Sequence, residues 1–112
     1  MVAFPDHWMT PAMTPFHLAF PVHDLDEARR FYGEVLQCRI GRSSDTWVDF
    51  DLFGHQMSAH LRPSTGPAEG GGKVDGVEVP IPHFGVVLQM DRWRELAERL
   101  EADPGTVWIE RP

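Results

Sequence analysis

The sequence predicts an α+β fold made of two related modules, the second of them incomplete. Three observations lead there. Residues 16–22 and 83–90 both alternate large apolar side chains with small or polar ones, as half-buried strands do. Each is followed by a stretch with apolar residues at helical spacing. In each a histidine, His17 or His83, opens the less bulky face, with a small residue two positions later, Ala19 or Gly85. A duplicated strand–helix unit accounts for all three.

The elements follow in order. Residues 1–15 form an irregular N-terminal arm, because Pro5, Pro11 and Pro15 block regular structure; Phe4, Trp8 and Met9 could dock it on the body. The first module spans 16–62. In its opening strand Phe16, Leu18, Phe20 and Val22 share one face, and His17, Ala19 and Pro21 the other. Asp24 is a suitable N-cap for the next helix, with Glu27 completing a capping-box pattern. Leu25, Ala28, Phe31, Tyr32, Val35 and Leu36 give that helix its buried stripe, and Gly33 weakens it by about 1 kcal/mol relative to Ala. Short strands are expected at 38–41, 46–52 and 56–62, with a turn at Gly54-His55.

Residues 63–82, rich in Gly and Pro, read as a flexible linker. The partial second module spans 83–112. Its strand is expected over 83–90, with His83, Gly85, Val87 and Gln89 on one face. A helix over 91–102 has Trp93, Leu96, Ala97 and Leu100 as its stripe, and a last short strand is expected over 106–110. Compared with the first module, the second lacks about two strands.

Composition narrows the function classes. At 112 residues the chain is of one-domain size, and its net charge of −7 disfavours nucleic acid or an anionic membrane surface as a partner. No apolar run approaches the roughly 20 residues of a membrane helix. The single cysteine, Cys38, cannot form an internal disulfide, and the N-terminus lacks the pattern of a secretory signal, so a cytoplasmic address is expected. No phosphate-binding loop, dinucleotide fingerprint, zinc-finger spacing or Gly-x-Ser-x-Gly elbow is present.

The histidines carry the chemistry. One histidine on a strand is ordinarily structural. Two at equivalent repeat positions can point into one cavity if the modules are related by pseudo-twofold symmetry, and neutral imidazole is the commonest metal ligand among side chains. His60 lies on the polar face of its strand with Ser58 and Gln56; a solvent-exposed edge position is the competing explanation. His7, His23 and His55 read as solvated. Asp49 and Asp51, sharing a face with Trp47, read as acidic residues on a wet sheet face, and Cys38 as a small half-buried thiol.

Four segments together resemble the vicinal oxygen chelate superfamily of glyoxalases, bleomycin-resistance proteins and extradiol dioxygenases. They are Phe16 to Leu25, Ala28 to Leu36, Phe53 to Leu61 and Val79 to Val86. The Pro-His-Phe-Gly segment at 82–85, with the earlier His17, resembles the extradiol-dioxygenase-like branch. The resemblance implies a glyoxalase-like fold of paired βαβββ modules around a divalent metal. It implies His17 and His83 as metal ligands, with Fe(II) first and Mn, Zn or Ni as alternatives. It implies His60 as the acid–base residue, and Gln89, on the His83 face, is a candidate substrate contact. The implied function is extradiol-type cleavage of a catechol-like small molecule, with a homodimer as the expected assembly. The family's carboxylate ligand lies in a Gly-Asn-x-x-Glu-like segment that this sequence, ending at Pro112, does not contain. The chain is therefore expected to be truncated at its C-terminal side. A metal-free small-molecule-binding module and an inactive fragment are the rival expectations.

Overall fold

The computed structural model describes residues 14–66 and 70–112. The N-terminal arm, with His7, lies outside them except for its last two residues. The described residues fall into two compact units, 14–65 and the remainder from 66 onward.

The first unit is a βαβββ module. Its strands are β1 (His17–Val22), β2 (Arg39–Ser43), β3 (Trp47–Leu52) and β4 (His55–Leu61), in the spatial order β1-β4-β3-β2. β1 runs parallel to β4, while β3 is antiparallel to both β4 and β2. The expected strands are therefore all present, within a residue or two at their ends. The β3–β4 turn sits one residue earlier than expected. Phe53 and Gly54 both have positive φ, 51° and 89°, the pairing of a two-residue hairpin.

The helix of this module departs from the regular pattern. α1 covers Leu25–Ala28, capped by the Asp24 carboxylate, which accepts from the Glu27 N–H at 3.0 Å. The chain then widens into a π-helical stretch, Arg29–Val35, in which the Leu36 N–H reaches back five residues to the Phe31 carbonyl at 2.9 Å. Gly33 has a packing role there: a Cβ on it would stand 3.2 Å from Ile40 Cδ1 of β2. The apolar sheet face and the helix bury Ala28, Val48, Phe50, Leu52, Met57 and Ala59. Tyr32 sits against Phe20, Phe31 and Phe50, with ring centroids 5.5, 5.1 and 5.2 Å away.

The second unit corrects three expectations. The 63–82 stretch is not all connector: β5 (Gly70–Val74) and β6 (Val77–Pro80) form an antiparallel hairpin around Asp75-Gly76, both at positive φ. The strand expected over 83–90 is absent. Apart from an isolated bridge at Val87 this segment is irregular, entered through Pro80 and Pro82, neither of which can donate to a ladder. The strand expected over 106–110 is also absent. Val107 and Ile109 are exposed, and no described strand pairs with them. A chain segment with strand periodicity becomes a strand only beside a partner whose N–H and C=O groups it can satisfy.

The helix α2 (Met90–Ala102) is where expected, with Leu96 and Ala97 buried and Trp93 and Leu100 half-buried. Among the described residues no helix is long and apolar enough to cross a membrane.

Candidate functional site

Residues paired directly across neighbouring strands point to the same side of a sheet. The register therefore gives the polar face of the first unit as rows. His17, Gln56, Asp51 and Arg39 form one row. Ala19, Ser58 and Asp49 form the next, and Pro21, His60 and Trp47 the third. The opposite face is the apolar one, so packing against the helix leaves these rows uncommitted to the core.

Asp49 organises the centre. It is 7% exposed, yet its carboxylate is well supplied with donors. The Ser58 hydroxyl donates to Oδ1, the Gln56 amide to Oδ2 at 3.3 Å, and the Arg42 guanidinium lies 3.6 Å from Oδ2. Arg42 also stands 5.8 Å from the centroid of the Trp47 ring. The wet-face expectation thus fails for Asp49: a buried carboxylate is tolerated there because neighbouring strands bring donors to it. Asp51 is exposed as expected and takes the Gly54 N–H at 2.7 Å.

His17 is exposed on this face, directly beside Gln56. His60 is half-buried and pairs with Trp47 and Pro21, four residues further along β4. At about 3.3 Å per residue, four residues carry it some 13 Å from the His17 row. A bound molecule, not a direct hydrogen bond, would have to link the two imidazoles. His55 is not simply solvated: its Nδ1 accepts the Phe16 N–H at 2.7 Å and ties the entry of β1 to the start of β4. His23 is exposed as expected, its Nε2 3.0 Å from Glu27 Oε2.

His83 and Gln89 belong to the second unit. Neither lies on a strand. His83 is exposed, and its Nδ1 is 2.6 Å from the Pro80 carbonyl oxygen. A carbonyl only accepts, so Nδ1 carries the proton and a neutral ring leaves its lone pair on Nε2. Gln89 is the N-cap of α2, where its carbonyl accepts the Trp93 N–H at 2.8 Å. Among the described residues no three His, Cys, Asp or Glu side chains gather as a metal-holding group.

Two nucleophilic groups lie in the core of the first unit. Cys38 is buried and in no disulfide. Burial among aromatic rings pushes the Tyr32 hydroxyl up to about 12, with Cys38 adding to the shift. Both serve packing. The residues overlooked in the sequence are Arg39, Gly41 and Gln56. The signal for Gln56 was pairing direction: only with β1 and β4 parallel does it fall opposite His17.

The comparisons agree with this architecture. The family model described as "Glyoxalase/Bleomycin resistance protein/Dioxygenase superfamily" matches residues 14–112. The crystal structure of a glyoxalase/bleomycin resistance protein/dioxygenase from Alicyclobacillus acidocaldarius is 28% identical, with a TM-score of 0.65 over 84% of this chain and 66% of that one. A lactoylglutathione lyase from Agrobacterium tumefaciens is similar in fold, at 21% identity and a TM-score of 0.50, over 83% of this chain and 72% of that one. No curated protein matches. A βαβββ module and a family match over nearly the whole sequence lead to one conclusion: the chain belongs to the glyoxalase/bleomycin resistance protein/dioxygenase superfamily.

Proposed function

We propose that this chain is a divalent-metal-dependent enzyme, and that its reaction is extradiol-type cleavage of a catechol-like substrate with O2. The observation that supports this most is the state of His83. Its Nδ1–H is engaged by a backbone carbonyl, which fixes the tautomer and leaves Nε2 as a donor atom, the arrangement typical of metal-binding histidines.

His17 is the proposed second imidazole. It stands exposed on the polar face, beside Gln56 and next to the exposed Ala19 of the following row. The carboxylates of that face do not complete the set. Asp49 is engaged by Ser58, Gln56 and Arg42, and Asp51 by the Gly54 N–H. Two neutral nitrogen donors suit Fe(II), Mn, Zn or Ni, with Fe(II) the proposed ion. A bound ion would act as a Lewis acid on the substrate oxygens. His60 is the proposed proton carrier, reached by a substrate that extends along β4 from the His17 row. Gln89 is the proposed additional polar contact.

The test is an equilibrium Fe(II) titration under anaerobic conditions, with Zn as a redox-silent control. About one ion per chain is expected, with affinity falling at least tenfold in His17→Ala and in His83→Ala. The same affinity in the double variant overturns the reading. Small-molecule binding that is insensitive to chelator would then favour the metal-free module. His60→Ala should keep the metal and lose turnover of a catechol.

A further inference from the structure

We propose that the first unit also carries an anion-recognition site, with Arg39 as its anchor, for the carboxylate of a small monoanionic organic acid. A cavity of about 350 Å³ opens on the polar face, in the size range of small-molecule pockets. Its walls include Arg39, Arg42, Asp49, Asp51, His55 and Gln56.

The charges of these walls decide what the cavity accepts. Asp49 is neutralised locally by Arg42 and hydrogen-bonded by Ser58 and Gln56, so this pair presents no net charge. Asp51 is opposite Arg39 in the β2–β3 register, but the Gly54 N–H at 2.7 Å draws its carboxylate to the β3–β4 turn. Among the described residues no ion pair joins Arg39 to Asp51 or to any other carboxylate. Arg39 is therefore the cation left to bind from outside, and a guanidinium matches a carboxylate through two parallel hydrogen bonds. His55 adds a neutral donor. Its Nδ1 accepts the Phe16 N–H, so a neutral ring carries its proton on Nε2.

Two features set the size and charge of the guest. Gly41 lies between the arginines and also lines the cavity; a Cβ there would already stand 3.5 Å from Asp49 Cβ. The missing side chain is part of the cavity's volume. With Asp49 matched by Arg42, the Asp51 carboxylate in the wall disfavours a dianion such as a phosphate monoester, whereas a monocarboxylate leaves only one charge for Arg39 to satisfy. Gln56 belongs both to this wall and to the His17 row, but Arg39 is three strands from His17, about 14 Å at a strand spacing of about 4.8 Å, so only an elongated acid held at Arg39 extends along that row to His17. The inference deepens the functional reading by naming a substrate class. It rests on that reading for the reaction and not for the binding.

The test uses benzoate as the probe and benzamide as its neutral counterpart. The full chain is freed of metal with EDTA and titrated, with the backbone amide shifts of residues 39–42 and 49–56 as the readout. Benzoate is expected to saturate those shifts and to bind at least tenfold more tightly than benzamide. Arg39→Gln should weaken benzoate at least tenfold and Arg39→Lys by less. Gly41→Leu should abolish binding while Arg39 is still present. Benzoate that does not bind, or binds wild type and Arg39→Gln alike, overturns the proposal. The titration is repeated in the His17→Ala/His83→Ala double variant. Retained benzoate binding there, alongside failed Fe(II) binding by the wild type, would remove the metal reading and leave the anion site standing.

Discussion

Replacing Asp49 with alanine tests whether the centre of the polar face is a coupled network. Asp49 and Ser58 are 7% and 5% exposed, so water does not readily replace what either loses. In Asp49→Ala the Ser58 hydroxyl has no acceptor, a cost of about 1–3 kcal/mol for a buried polar group. The lost pair with Arg42 adds little, because that side chain is 81% exposed and such pairs contribute about 0–1 kcal/mol. The expected loss is about 2–3 kcal/mol in all. Ser58→Ala alone removes one donor, but Gln56 and Arg42 still serve the carboxylate, so about 1 kcal/mol is expected. The double variant has no orphaned hydroxyl and should be no less stable than Asp49→Ala. The coupling energy should then be about 1 kcal/mol or more. Urea unfolding at fixed pH, followed by tryptophan fluorescence, measures all four corners of the cycle. Single-variant losses that add within about 0.3 kcal/mol would refute the network and return Asp49 to an ordinary acidic position.

Two further outcomes are expected from the same unit. Tyr32 is the only tyrosine, so absorbance titration reads it alone, and it should ionise near pH 12. Its folded value is raised above the unfolded value of about 10. The stability it supports is therefore intact below pH 10 and lost as pH rises toward 12, a fall on the order of 3 kcal/mol that Tyr32→Phe should remove. His55→Leu removes the acceptor of the Phe16 N–H and should cost about 1 kcal/mol. Amide exchange at Phe16 should accelerate with it, and an unchanged rate would show that His55 does not hold the entry of β1.

The first module was legible because two kinds of signal agreed. Alternation marked β1, β3 and β4, and the Asp24–Glu27 capping pattern marked the helix start. The π-helical widening was not legible: the apolar spacing over 25–36 fits an ordinary helix, and the close approach of Gly33 to Ile40 joins residues of different elements. In the second unit, composition misled. Gly and Pro suggested a connector over 63–82, while Asp75-Gly76 between Val74 and Val77 is a strong hairpin signal on its own terms. The opposite error placed a strand at 83–90. His83 was singled out as the equivalent of His17 by alternation, but its surroundings differ: a carbonyl contact in an irregular segment instead of a position on a ladder.

The site was less legible than the fold because side-chain alternation does not encode strand direction. Leu18, Phe20 and Val22 must share a face with Met57, Ala59 and Leu61. Parallel pairing achieves this with His17 opposite Gln56, as observed. Antiparallel pairing shifted by one residue would satisfy the same apolar faces with His17 opposite His60. The helix between β1 and the later strands decides the matter, since a crossover connection returns the chain parallel to its start. That choice separates His17 from His60 and gives it an amide as its neighbour. Asp49 then fixes the amide's sense. A carboxylate accepts and does not donate, so the Gln56 nitrogen faces Asp49 and its oxygen is turned away. A buried acid two strands from His17 thus sets whether the group beside that histidine offers a donor or an acceptor.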